Sequence, residues 1–262
     1  MTTHTLRDSA TMLRRNVRRM IRYPVGVAVV VGVPIVLLLL FVYVLGETLG
    51  AGLGGASAGR ADYVNYVFPG ILIIAIAGAP QATAISVAMD MKEGIIRRFK
   101  TMAISPASVL NGHVIGNTIQ TMVGLVIVVG IGILVGFRSS ATLVEWLAAA
   151  GLLLLLTVAL TWLAVAMGLV AKSVEGASNL PMFLILLPFL GSGFVPTEAM
   201  PTGLDWFAEY QPFTPILDTL RGLLLGTPVG NDWIFAVAWC IGIWLVGYLW
   251  AQRLYDREPA VV

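Results

Sequence analysis

The chain has 262 residues, of which 58% are apolar and only 11% are Asp, Glu, Lys or Arg. A soluble domain carries about a quarter charged residues, so this composition excludes a water-soluble globule, a disordered chain and a disulfide-rich secreted domain. The net charge of +2 says less than where the charges fall, and the single cysteine, Cys240, with only His4 and His113 beside it, supplies neither an internal disulfide nor a four-ligand zinc site.

Residues 5–23 are predicted to form a helix. Leu6, Ala10, Leu13, Val17, Met20 and Ile21 share one face, Thr5 with Asp8 makes a capping box, and Pro24 stops the helix. Arg7, Arg14, Arg15, Arg18, Arg19 and Arg22 cover the flanks and the opposite face, which suits a helix lying in the interface among anionic headgroups. Nucleic acid is the other anion an arginine cluster can meet. A membrane span starting at Val25 makes lipid the nearer one, and no nucleic-acid partner is expected.

Six apolar runs follow: Val25–Leu45, Val64–Met89, His113–Phe137, Leu143–Ala171, Leu180–Val195 and Trp233–Ala251. A spanning helix needs about 20 apolar residues. With no water in hydrocarbon, backbone groups must pair within the structure, so the runs are read as helices; the period-2 alternation of a barrel strand is absent. The fold class is therefore an all-α integral membrane protein with six transmembrane helices, one domain over residues 1–262. The fifth run is the shortest and is interrupted by Pro181 and Pro188.

Between the first two spans, Ala56-Ser57-Ala58 has the form of a signal-peptidase site, but a signal h-region runs only about 7–15 residues, and the first span is expected to be retained. Gly55-Ala56-Ser57-Ala58-Gly59 matches a nucleophile elbow. No strand precedes it and both histidines fall on the inner side, so a flexible linker is the better reading of these residues.

The loop over 90–105 joins the second and third spans. Ile95, Ile96, Phe99, Met102 and Ala103 form an apolar stripe, with Lys92, Arg97, Arg98 and Lys100 off it. Ser105-Pro106 reads as an N-cap and first-turn proline that open a helix running into the third span. The periodicity fits an interfacial anchor or, with Phe99 and Met102 as anchors, a docking helix for a cytoplasmic partner. Residues 196–232 hold Pro196, Pro201, Pro212, Pro215 and Pro228 around two short amphipathic stretches, expected to be outer re-entrant helices. Within them Asp218 and Arg221, three residues apart, are expected to form a structural ion pair.

With both termini cytoplasmic, all of the 16 Lys and Arg residues except Arg60, Arg138 and Arg221 fall on the inner side, as the positive-inside rule requires. No phosphate-binding G-x-x-x-x-G-K-[S/T] loop occurs, so the chain is not expected to hydrolyse nucleotides or to act as an enzyme. The cores of the runs carry no ionisable residue, which argues against a proton or ion relay. Gln81, Thr83, Ser86, Asn117, Gln120 and Thr121 fit interhelical hydrogen bonds as well as they fit a substrate path, and Gly112-x-x-x-Gly116 and Gly132-x-x-x-Gly136 fit close helix packing.

Two stretches carry a resemblance. The loop from Lys92-Glu93-Gly94 to Ser105-Pro106, and the outer residues Gly191-Ser192-Gly193-Phe194-Val195-Pro196, Met200-Pro201, Phe213-Thr214-Pro215, Arg221 and Gly226, are together similar to the type-2 permeases of ATP-binding-cassette exporters, in particular the daunorubicin-resistance branch. The resemblance covers nearly the whole chain. It implies a permease that dimerises and recruits two copies of an ABC ATPase that bind ATP and Mg; a homodimer is expected ahead of a heterodimer with a related chain, which stays open, and this chain would hold no cofactor itself. It implies that residues 92–104 are the coupling helix, with Glu93, Gly94, Ile96, Arg97, Phe99 and Met102 facing the ATPase, and that 5–23 is the family's connecting helix. It places the substrate path along the second and fifth spans, where Pro80, Gln81, Pro181 and Pro188 are candidate lining or hinge residues. The expected cargo is an amphipathic small molecule (drug, polyketide or lipid) moved outward across a bacterial plasma membrane. A non-transporting membrane scaffold is the alternative, and an intramembrane hydrolase using Ser57 a more distant one.

Overall fold

The computed structural model describes residues 24–48, 60–94, 106–195, 200–201 and 203–257. The predicted interfacial helix at 5–23 and the Gly55–Gly59 linker lie outside the described residues. Among the described residues every regular element is helical.

Helix α1, Pro24–Leu39, runs on into a π-helical turn, Leu40–Val44. The second run is divided into α2, Arg60–Gly78, and α3, Pro80–Lys92. Pro80 has no N–H to donate to the preceding turn, which breaks the hydrogen-bond ladder there. Helix α4 opens at Pro106 and reaches Val135. Helix α5, Leu143–Val170, starts on a capping box that was not read from the sequence: Glu145 N–H donates to Thr142 Oγ1, and the Glu145 carboxylate accepts from the Thr142 N–H at 2.6 Å. A short helix α6, Val174–Asn179, precedes the fifth run, which with its two prolines is broken into α7, Met182–Leu186, and a 3₁₀ turn, Leu187–Leu190. Next come α8, Leu204–Tyr210, and α9, Phe213–Leu225, and the chain continues in α10, Asp232–Arg257.

Four stretches of these helices are long and apolar enough to cross a bilayer: Arg60–Lys92, Leu110–Val135, Leu143–Val170 and Asp232–Tyr255. Val31–Val44 and Val174–Leu190 are apolar but shorter.

Helix α2 sits at the centre, touching α1, α4, α5, α7 and α9. Tyr63, Val67, Phe68, Ile71, Leu72, Ile73 and Ile76 are all buried, and the Phe68 ring stacks on Phe137 at 4.2 Å. A second cluster, Val87, Leu110, Val114, Trp162, Val165, Ala251 and Tyr255, joins the other end of the bundle through α3, α4, α5 and α10. Helices α5 and α10 share the most extensive interface. A Cβ on Gly247 would lie 2.6 Å from the Leu163 backbone nitrogen, and one on Gly168 would lie 2.6 Å from the Ala84 carbonyl oxygen. Close backbone approach of this kind is how helices associate in a medium that offers no hydrophobic driving force between them. Of the two Gly-x-x-x-Gly pairs, Gly132 does pack closely, against the Phe68 ring, whereas Gly136 ends α4 with φ +122° and meets nothing within 4 Å. The outward faces stay apolar, with Val126 and Leu134 on α4 and Phe235 and Val246 on α10 exposed, as a lipid-facing surface requires.

Candidate functional site

The candidate residues fall along one seam, where α2 and α3 lie against the broken helix α6–α7 and its extension to Phe194. At one end α3 finishes with Lys92. Glu93 N–H closes the last turn on Met89 O at 2.9 Å, and Gly94 turns the chain with φ +70°, a left-handed conformation glycine adopts without steric cost. Glu93 and Gly94 are thus placed at the exit of α3, while Ile96, Arg97, Phe99 and Met102 lie outside the described residues. Across from Lys92, Ser173 caps α6 by accepting the Gly176 N–H at 3.0 Å. The Glu175 carboxylate is held below the ordinary glutamate range, first by the backbone N–H at the helix start, next by the Ser173 hydroxyl and last by the positive charge of Lys92.

One interaction at this end was not anticipated. Asp90, in the last turn of α3, and His113, near the start of α4, are both buried and meet with Oδ2 and Nε2 3.0 Å apart. The sequence placed both at span boundaries and left them unconnected. They lie 23 residues apart, on either side of the 95–105 loop, and no local spacing rule links them.

In the middle of the seam, the Gln81 amide donates to Ser178 O at 2.9 Å and to Ser178 Oγ at 3.1 Å. Pro80, one residue before, and Pro181, three residues beyond Ser178, are both buried, and Pro188 is buried in the 3₁₀ turn. A Cβ on Gly78 would touch Ile185 at 3.8 Å, so the two elements also meet where α2 gives way to α3. Elsewhere Asn117 on α4 donates to Thr161 on α5 at 2.9 Å. These are the interhelical bonds expected of polar groups in an apolar bundle. Thr83 and Thr121 are buried, and Gln120 is half-buried.

At the far end the seam closes on Ser192. The Arg221 guanidinium donates to Asp218 Oδ1 and to Ser192 O, each at 2.7 Å, and lies 4.1 Å above the Tyr66 ring. Tyr66 Oη donates to the same Ser192 carbonyl at 2.8 Å, and Ser192 Oγ donates to Asp218 at 2.8 Å. The expected Asp218–Arg221 pair is present; its further partners come from distant parts of the chain. Burial raises the Asp218 carboxyl above the ordinary aspartate range, against the Ser192 hydroxyl and Arg221, which pull it down. Gly193 comes so close to α2 that a Cβ on Gly70 would lie 2.8 Å from its carbonyl oxygen.

A long apolar bundle with two polar-fastened ends is the architecture of a multi-pass membrane protein. The family model for the ABC-2 type transporter matches residues 8–225. The chain belongs to that family, and it is the membrane subunit of an ABC exporter rather than its ATPase. It is similar to the Daunorubicin resistance ABC transporter permease protein DrrB1 of Streptomyces coeruleorubidus, 26% identical over 241 residues that cover 91% of this chain and 82% of the relative. It is also similar to the Probable doxorubicin resistance ABC transporter permease protein DrrC of Mycobacterium tuberculosis (strain H37Rv), 26% identical over 240 residues, 90% of this chain and 84% of that one. Membership implies partnership with an ABC ATPase, and the resemblance read from the loop and outer motifs agrees with it.

Proposed function

We propose that two copies of this chain form the pathway of an exporter that moves an amphipathic small molecule outward across a bacterial cytoplasmic membrane, driven by two ATPase subunits that bind ATP and Mg. The observation that carries the reading is the match along most of the chain to permeases named for resistance to daunorubicin and doxorubicin, which makes these two compounds the first substrates to test. In this reading the chain crosses the membrane six times with both termini inside. Residues 5–23 lie on the inner interface and 196–232 dip into the outer leaflet. The retention of nearly all Lys and Arg on one side supports that orientation.

Residues 92–104 would seat in a groove of the ATPase through Ile96, Phe99 and Met102, with Glu93 and Arg97 at its rim. Gly94 would let the chain turn out of α3 toward it. Closure of the ATPase pair on ATP would then move α3 and α4, and the seam of Pro80, Gln81, Pro181 and Pro188 would open to the cargo. Replacing Phe99 and Met102 with glutamate should abolish daunorubicin efflux from cells while leaving the amount of chain in the membrane unchanged. Undiminished efflux would refute the coupling role. Purification of the chain in a stable complex that contains no nucleotide-hydrolysing partner would favour a membrane scaffold instead.

A further inference from the structure

Ser192 is held by every polar group it has. Its carbonyl accepts from Tyr66 on α2 and from Arg221 on α9, its hydroxyl donates to Asp218 on α9, and its N–H donates to Thr214 Oγ1 on α9 at 3.4 Å. It is flanked by Gly191 and Gly193, both pressed close to their neighbours. A Cβ on Gly191 would lie 2.6 Å from the Gln211 amide nitrogen, and Gly193 already abuts Gly70. The neighbouring packing is apolar: Phe194, two residues on, packs on Phe41 at 4.6 Å and on Phe189 at 4.8 Å, and Val67, next to Tyr66 on α2, is fully buried. Packing of that kind gives way only by separating many atoms, whereas a few directional bonds can be exchanged for water. The fastening is not sealed within the chain: the Asp218 side chain is 35% exposed and that of Arg221 is 16% exposed.

We propose that Arg221 is the latch of an outer gate. Through Ser192 and Tyr66 it clamps the outer end of the broken fifth segment to α2, and the cargo leaves only when this clamp lets go. Arginine suits the position because its planar fork reaches the Asp218 carboxylate and the Ser192 carbonyl together while its face lies on Tyr66. Lysine, a compact point charge with neither a planar fork nor a face to lay on a ring, cannot make all three contacts. The proposal rests on the exporter reading for the direction in which the seam opens.

The test uses the exporter assembled with its ATPase in right-side-out membrane vesicles washed free of nucleotide, with inside-out vesicles from the same membranes exposing the cytosolic face. A reporter thiol is introduced by Val67→Cys, at a fully buried position one turn outward from Gly70, in a chain whose native Cys240 is replaced by alanine. A membrane-impermeant maleimide is then applied outside. Without nucleotide, the reporter thiol should be protected in the parent and labelled about tenfold faster in Arg221→Lys, the change that ~1.4 kcal/mol of lost latch energy produces in an opening equilibrium. Ser192→Ala, which deletes one hydroxyl, should give a smaller increase in the same direction and carries the test if Arg221→Lys does not assemble. Native Cys240, buried in α10, should stay protected in an Arg221→Lys chain that keeps Val67, which separates gate opening from general loosening. Equal protection of the reporter thiol in parent and variants overturns the latch alone, as does labelling of Cys240 in step with the reporter. Labelling of the reporter only from the cytosolic side overturns the latch together with the proposed orientation.

Discussion

The carboxylate of Asp90 and the imidazole of His113 meet 3.0 Å apart where the last turn of α3 lies against α4, buried beside the cluster of Val87, Leu110 and Val114. Because Asp90 precedes the 95–105 loop and His113 follows it, the contact ties the two helices at the base of the proposed coupling segment. A hydrogen bond to a charged group contributes about 1.5–3 kcal/mol. His113→Ala should therefore lower the thermal unfolding midpoint of the detergent-purified protein by several degrees, and His113→Gln, which keeps a donor, by less. Equal midpoints for His113→Ala and the parent would show that the pair does not stabilise the fold.

The glycines offer a controlled comparison. A Cβ at Gly168 or Gly247 would meet backbone atoms at 2.6 Å, which cannot retreat as a side chain can, while a Cβ at Gly151 or Gly242 would meet nothing within 4 Å. Gly168→Ala and Gly247→Ala should each destabilise by about 1–3 kcal/mol, as overpacking does. Gly151→Ala and Gly242→Ala should be neutral or stabilise by up to about 1 kcal/mol through helix propensity. Unfolding of the four variants in one detergent checks the contrast, and a common response in all four would contradict it.

Gln81 is the polar bridge across the middle of the seam. Gln81→Leu removes both bonds to Ser178, and interhelical bonds of this type are worth about 0.6 kcal/mol on average in membrane bundles. The variant should be made in near-normal amounts with a small loss of thermal stability. If the seam is the route of the cargo, the KM or rate of efflux should change by more than that stability loss accounts for. Efflux kinetics identical to the parent would remove Gln81 from the route.

Much of the architecture could be read from residue patterns because the bilayer leaves so few options. Pro181 and Pro188 announced the broken fifth run, which appears as α7 and a 3₁₀ turn. Pro106 opens α4 where a first-turn proline was expected, and the spacing of Asp218 and Arg221 foretold their pair. The central position of α2 could not be read, since an all-round apolar helix is equally at ease against lipid and against protein. Nor could the partners Tyr66 and Ser192 of Arg221, or the meeting of Asp90 with His113, because these contacts join residues that only the packing of distant helices brings together. The backbone approaches at Gly168 and Gly247 carry no Gly-x-x-x-Gly spacing; what marks them is a facing backbone that the chain's own order does not reveal.

The exporter reading is tested most directly in inside-out membrane vesicles that contain this chain together with its ATPase partner. Uptake of daunorubicin or doxorubicin into the vesicle lumen should require ATP and both chains. It should disappear when Phe99 and Met102 are replaced by glutamate. Uptake that proceeds equally without ATP, or in vesicles lacking this chain, would contradict the account.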